Sequence, residues 1–166
     1  MIELNCFQSP IGLITILAIK PGVVKILFEN NLKENLNKFR NKHINLNIQE
    51  GNLYTHIAKN QILSYLSGKR NKLDFSVIHL NSPFRKKVLA VQRNIPYGET
   101  RSYGDIAIIL KHPRFARAVG AANSNNPLPL YYPCHRIIYS DGSLGEFIGG
   151  RKVKQWLLNL ETRWHE

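Results

Sequence analysis

The chain has 166 residues, 43% of them hydrophobic, enough for one compact domain or for two small domains sharing an interface. Two cysteines, Cys6 and Cys134, are too few for a disulfide framework, and no stretch reaches the roughly 18 consecutive apolar residues of a membrane span. A formal charge of +12 turns attention to polyanions, although a Lys- and Asn-rich composition raises charge without any function behind it.

The N-terminus MIELNCFQSP has no basic segment followed by an apolar one, so the chain is expected to stay in the cytoplasm with no membrane partner. FQSPIGLITILAI and VVKILFE then read as β-branched strands interrupted by Ser-Pro and Pro-Gly, which predicts a small sheet. NLKENLNKFRNKHINLNIQEGN, rich in Asn and Lys with weak periodicity, reads as a short helix or a surface loop. LYTHIAKNQILSYLSG places Leu53, Ile57, Ile62 and Leu66 near helical spacing and stops at Gly68, a helix with a glycine terminator.

A boundary is expected near Asn81 and Ser82, dividing the chain into residues 1–80 and 81–166. In SPFRKKVLAVQRNIPYGET, Ser82 can cap a helix with Pro83 at its first position, and Pro96-Tyr97-Gly98 ends it. SYGDIAIILKHPRFARAVGAANSNNP divides into two short helices around Lys111-His112. Ser102 and Asp105 form a capping box for the first, and Pro113 fits the first turn of the second.

Two short helices on a tight turn look like a helix-turn-helix. In the second, Phe115, Val119 and Ala122 would face the core, while Arg114, Arg117, Ala121 and Ser124 would lie near the outer face. Small residues beside arginines suit a helix laid closely against DNA; a solvated basic face on an ordinary helix pair fits the same pattern. Basic residues are spread evenly, ten in residues 1–80 and thirteen after, but arginine is not: two precede position 81 and eight follow. Arginine's planar fork suits phosphate and base edges, so the second half is the better candidate for contacting nucleic acid.

After NPLPLYYPCHRIIYSDG and the Gly-rich SLGEFIGG comes RKVKQWLLNLE, where Val153, Trp156, Leu157 and Leu160 form an apolar stripe at helical spacing. Cys134 sits in the first of these segments and admits three readings. It can be a buried small hydrophobe. It can be a metal ligand with His43, His56, His79, His112, His135 or His165, but the two cysteines lie 128 positions apart and no CxxC or HxxxH occurs, so no metal is expected. It can be a reactive thiolate, which requires its pKa to fall from about 8.5, with His135 and Arg136 as candidate neighbours. Adjacent side chains of a strand point to opposite faces, so Cys134 and His135 cooperate only if Pro133 bends the chain into a turn.

IPYGETRSYGDIA, RAVGAANSNNPLPL, PCHRII, GSLGEFIGG and KQWLLNLE occur together and in order between positions 95 and 161. This set resembles the O6-alkylguanine-DNA alkyltransferases, the methylated-DNA–protein-cysteine methyltransferases. The first eighty residues resemble that family more loosely, mainly in SPIGLITILA.

The resemblance implies an α/β N-terminal domain with a ribonuclease-H-like sheet, then a mainly helical C-terminal domain with a winged-helix-like helix-turn-helix that meets DNA through the minor groove. It implies no cofactor, a monomer, and double-stranded DNA containing alkylated bases as partner. Cys134 would take the alkyl group from guanine O6, after the base is flipped out. His135 would act on the thiol through a water, oriented by Glu161, and Asn126 would brace the loop. Tyr103 would help rotate the nucleotide and donate a hydrogen bond to the leaving base. Arg117 would fill the vacated stack, with Arg114, Ala118, Ala121 and Ser124 also on the DNA face. Pro129, Ile137, Phe147, Ile148 and Lys154 would form the substrate pocket.

This chain departs from many members in having Phe147-Ile148 where they carry tyrosine and then a small residue or arginine, which puts the preferred alkyl group in question. Zinc-binding members have paired cysteines and histidines near the N-terminus, a site Cys6 alone cannot build. A thioether on Cys134 is chemically stable, and no second thiol stands ready to remove it, so each molecule is expected to act once. Two rivals remain. Alkyltransferase-like binders lack the cysteine that is present here, and fused helix-turn-helix regulators carry a cysteine-rich zinc module for which 166 residues leave no room.

Overall fold

The computed structural model describes residues 1–42, 48–51 and 53–163; His43 and His165, weighed above as metal ligands, and part of the Asn-rich segment lie outside the described residues. The chain divides into two compact units, Met1–Ile78 and His79–Glu166. No helix among the described residues is long and apolar enough to cross a membrane.

The first unit is built on a four-stranded sheet of order β3-β2-β1-β4. Strands β1 (Ile2–Ser9), β2 (Gly12–Ile19) and β3 (Gly22–Phe28) form an antiparallel meander whose two-residue turns fall at Pro10-Ile11 and Lys20-Pro21. β2 is apolar but for Thr15, and Ile14, Thr15, Ile16, Leu17 and Ala18 are all buried, the pattern of a strand covered on both faces. The Asn-rich segment forms α1 (Leu32–Lys42) and β4 (Ile48–Glu50), which pairs parallel to β1 and was not anticipated. Leu32, Leu36 and Phe39 of α1 pack on Ile2, Leu17, Val24 and Leu27.

Helix α2 (Leu53–Leu66) packs against β1, β2 and β3 and is followed by Gly68 at a φ of 74°. Its buried line is Thr55, Ala58, Ile62, Tyr65 and Leu66, whereas Leu53 and Ile57 are exposed. Thr55 and Ala58 are small enough to bring the helix close to the sheet, and they displace the larger residues from the line that simple periodicity assigned them.

The second unit contains α3 (Pro83–Arg93), α4 (Tyr103–Ile109), α5 (Ala116–Ser124) and α6 (Arg151–Thr162), with a short parallel pair β5 (Arg101–Ser102) and β6 (Ile137–Ile138). Ser82 caps α3 by accepting from the Arg85 N–H, and Pro83 follows it; the helix ends at Asn94, before Pro96. Ser102 and Asp105 form the reciprocal capping box of α4, at 2.7 and 3.0 Å. α4 closes with the His112 N–H on the Ala107 carbonyl and the Lys111 N–H on the Ile108 carbonyl, with Lys111 at a φ of 62°, a Schellman end that usually favours glycine.

α5 begins at Ala116, so Pro113 lies in the preceding turn rather than in the helix. Val119 and Ala122 enter a core with Val88, Ile95, Ile106, Ala107 and Ile137. Phe115 does not: it is 46% exposed, stacked on His112 at 4.8 Å, because it precedes the helix and points off its inner face. The β5–β6 pairing of Arg101 with Ile137 and Ser102 with Ile138 sets the start of α4 beside the segment that follows Cys134.

Candidate active site

The loop leading to Cys134 is fixed at both ends by one amide. Asn126, 1% exposed, accepts from the Leu128 N–H at 3.0 Å and donates to the Tyr132 carbonyl at 2.9 Å. Between these ties Leu130 takes a φ of 72°, a left-handed conformation that costs an ordinary residue about 1 kcal/mol and marks an over-determined loop. Pro133 then has φ −75° and ψ 68° while the Cys134 N–H donates to the Tyr132 carbonyl at 2.7 Å, an inverse γ-turn. A single 3-10 turn, Cys134–Arg136, follows directly. Pro133 thus supplies the bend that frees Cys134 and His135 from the opposite-face geometry of a strand.

His135 and Glu161 are both 0% exposed, and His135 Nε2 lies 2.7 Å from Glu161 Oε1. Arg136 sends Nε to Glu161 at 2.9 and 3.2 Å and a second guanidinium nitrogen at 3.0 Å, and it also donates to the Ile95 carbonyl at 2.6 Å. The Gly98 N–H adds a further donor to Glu161 at 3.1 Å. Burial by itself would raise the Glu161 carboxyl, but His135 and Arg136 outweigh it and hold the group well below the usual carboxylate range. Burial pushes His135 below its ordinary value, against the pull of Glu161. The consistent state is an ionised Glu161 neutralised by Arg136 and a neutral His135 whose Nε2–H donates to it, which makes Nδ1 the basic ring atom.

Arg136 was a candidate neighbour for lowering the thiol pKa; the structure commits its guanidinium to Glu161 instead. The cation that acts on Cys134 is Lys154, twenty positions along the chain. Cys134 is 2% exposed, and burial pushes its thiol up to about 11; Asn126, the Lys154 ammonium and the backbone N–H groups of Cys134 and His135 offset part of that rise. Lys154 is 0% exposed, donates to the Ile137 carbonyl at 2.5 Å and lies 3.4 Å from the Glu146 carbonyl. Burial lowers its own pKa to about 8, with Cys134 and Glu146 pulling the other way.

Cys134 forms the floor of a pocket of about 160 Å³ that is also lined by Asn123, Ser124, Glu146, Phe147 and Ile148. A larger groove of about 490 Å³ is lined by Tyr103, Arg117, Gly120, Ser124, Tyr139 and Glu146 among others, and it shares Ser124 and Glu146 with the first. Two of the expected pocket residues, Phe147 and Ile148, therefore line the Cys134 pocket. Pro129 is buried within the loop itself, Ile137 belongs to the core formed with Val119 and Ala122, and Lys154 acts on Cys134 through its charge. On the proposed DNA face Arg117 and Ser124 line the groove, while Arg114, Ala118 and Ala121 are exposed on or beside α5.

Sequence reading missed Asn123. It is buried, accepts from Gln92 Nε2 at 2.8 Å and hydrogen-bonds the Tyr103 hydroxyl, whose pKa is raised chiefly by burial. Its signal in the sequence is weak, because an asparagine near a helix end reads as a cap. Tyr139, which falls between PCHRII and GSLGEFIGG, and Glu146, which lies inside the second of these, were missed as well. Among the described residues no group of three or more His, Cys, Asp or Glu is placed to hold a metal ion.

The family model of the 6-O-methylguanine DNA methyltransferase DNA-binding domain matches residues 83–163. A methylated-DNA–protein-cysteine methyltransferase of Methanosarcina barkeri is 36% identical over 95% of this chain and 95% of its own length. That of Mycolicibacterium paratuberculosis is 36% identical over 98% and 94%. Among solved structures, Mycobacterium tuberculosis OGT in complex with DNA matches with a TM-score of 0.84 at 30% identity, covering 97% of this chain and 93% of that one. The likeness runs through nearly the whole length rather than through the cysteine motif alone, and the chain belongs to the methylated-DNA–protein-cysteine methyltransferase family.

Proposed function

We propose that this protein repairs DNA by direct reversal, moving an alkyl group from O6 of guanine to Cys134 Sγ. The observation that carries the reading is the position of Cys134: it floors an open pocket and is joined by a single turn to a buried His135–Glu161 pair. In the reaction the sulfur lone pair forms the S–C bond as the C–O bond breaks, and the guanine leaves as its anion and is restored by taking up one proton, which balances the proton lost by the thiol. His135, neutral and held by Glu161, takes the thiol proton at Nδ1 through a water, and the Lys154 ammonium supports the thiolate. The Tyr103 hydroxyl donates to the departing base, offsetting charge that develops on it.

The small pocket admits the alkylated edge of one base, which must leave the duplex stack to reach it, at a cost of a few kcal/mol. We read α4 and α5 as the helix-turn-helix, with Arg117 entering the vacated stack, and the sheet of the first unit as ribonuclease-H-like. Double-stranded DNA is the partner, the protein acts as a monomer, and each molecule acts once because the thioether has no leaving route.

Incubating the protein with duplex DNA that contains labelled O6-methylguanine tests this by mass spectrometry. One methyl group is expected on the Cys134 peptide, absent in Cys134→Ala, with DNA binding retained in the variant and falling steeply as salt rises. Binding without transfer by the native protein would overturn the reading in favour of a non-catalytic damage binder.

A further inference from the structure

We propose that Tyr139 is a positioning residue that stacks on a nucleobase of the strand flanking the alkylated guanine; the inference rests on the reading of Cys134 as the alkyl acceptor. Tyr139 is 49% exposed, an uncommon position for a large ring, yet it is firmly placed. Its N–H donates to the Ser143 carbonyl at 2.9 Å, and its carbonyl accepts from the Gly142 N–H at 3.0 Å. Asp141 Oδ1 closes the turn by accepting from the Ser143 N–H at 2.9 Å and from its hydroxyl at 2.7 Å.

The Tyr139 ring lies 5.3 Å from that of Tyr103, tilted by 49°. Gly145 makes room for both: at a φ of 69°, a Cβ there would stand 3.0 Å from Tyr139 Cε2 and 3.3 Å from the Tyr103 hydroxyl. The two tyrosines form one aromatic wall of the larger groove, with Arg117 among the other lining residues.

That combination fits a single occupant. Flat rings suit the faces of bases regardless of sequence, and the arginine suits a phosphate or a second base face. Because the groove shares Ser124 and Glu146 with the Cys134 pocket, a strand delivering a base to the thiol passes across it. Tyr139 lines the groove and not the Cys134 pocket, so its partner is the neighbouring nucleotide and not the target base.

The test compares transfer from duplex DNA with transfer from the free nucleoside O6-methyl-2′-deoxyguanosine, which has no flanking strand. Loss of one stacking contact is expected to slow transfer from duplex DNA by about tenfold in Tyr139→Ala, with little change on the nucleoside. Tyr139→Phe and Tyr139→Trp keep a ring and are expected to retain the native rate on both. An alanine variant that matches the native protein on duplex DNA overturns the inference. So does one that slows equally on both substrates, since the ring would then act only by holding Tyr103, and so do ring-bearing variants as slow as alanine. A native protein that transfers from neither substrate overturns the acceptor reading itself, which is a different result from a native protein that transfers and an alanine variant that keeps pace.

Discussion

Replacing Glu161 with glutamine keeps the shape of the side chain and removes its charge from a site with no solvent exposure. The carboxylate accepts from His135, from two nitrogens of Arg136 and from the Gly98 N–H. Removing one partner of a buried ion pair costs about 3–5 kcal/mol, and glutamine retains one carbonyl oxygen for these donors, so the expected loss is at the low end, about 3 kcal/mol at neutral pH. The amide NH₂ must face a donor, Gly98 N–H or Arg136, and adds to the penalty rather than relieving it.

The pH dependence has a definite sign. The folded-state Glu161 pKa lies below its unfolded value of about 4.3, so the contribution of the carboxylate is complete above about pH 5 and is lost as pH falls through the ordinary Glu range toward the folded-state value. Urea unfolding of native protein and Glu161→Gln, followed by fluorescence and repeated from about pH 7 down to about pH 3, should show the gap between them shrinking. A gap under about 1 kcal/mol at neutral pH, or one that stays constant down to the acid end, would refute the assignment of Glu161 as a buried, ionised partner of Arg136.

Two further outcomes follow from the same geometry. Because burial holds the Cys134 thiol up near 11, its labelling by iodoacetamide should accelerate about tenfold per pH unit between about pH 7 and 9, read on the Cys134 peptide so that the exposed Cys6 does not contribute; a plateau below about pH 9 would mean that the pocket ionises the thiol more readily than its burial allows. Gly145→Ala forces a side chain into the left-handed region and against two tyrosines, so it should cost about 1–2 kcal/mol in urea unfolding and slow alkyl transfer, and unchanged stability would show that the turn has room the structure does not give it.

Much of the site was legible because its parts are local. Ser82, Ser102 and Asp105 announce helix starts through hydrogen bonds that reach three residues along the chain. Pro133 next to Cys134 signals a bend. Less of it could be read where a residue's partner lies far along the chain. Arg136 stands two places from the thiol in sequence but turns to Glu161, because a buried carboxylate is a stronger attractor than a protonated sulfur. Lys154 and Glu161 occupy the most buried line of α6, where an apolar stripe predicts Leu or Val; Val153, Trp156 and Leu160 are only partly covered. The exposure of Phe115 and the parallel strand β4 depend on where a helix begins and on which edge is vacant, neither of which short-range periodicity records.

Lys154, Leu157 and Glu161 fall on one line because seven residues make nearly two turns. The ammonium that acts on the thiol and the carboxylate that holds the histidine are therefore carried on a single rigid ruler. A substitution on that ruler removes one charge, but an inserted or deleted residue between positions 154 and 161 would swing one of them about 100° around the helix. The spacing along α6 is for this reason less open to change in length than the turn from Tyr139 to Ser143, where extra residues would alter the groove wall and leave the thiol's own supports in place.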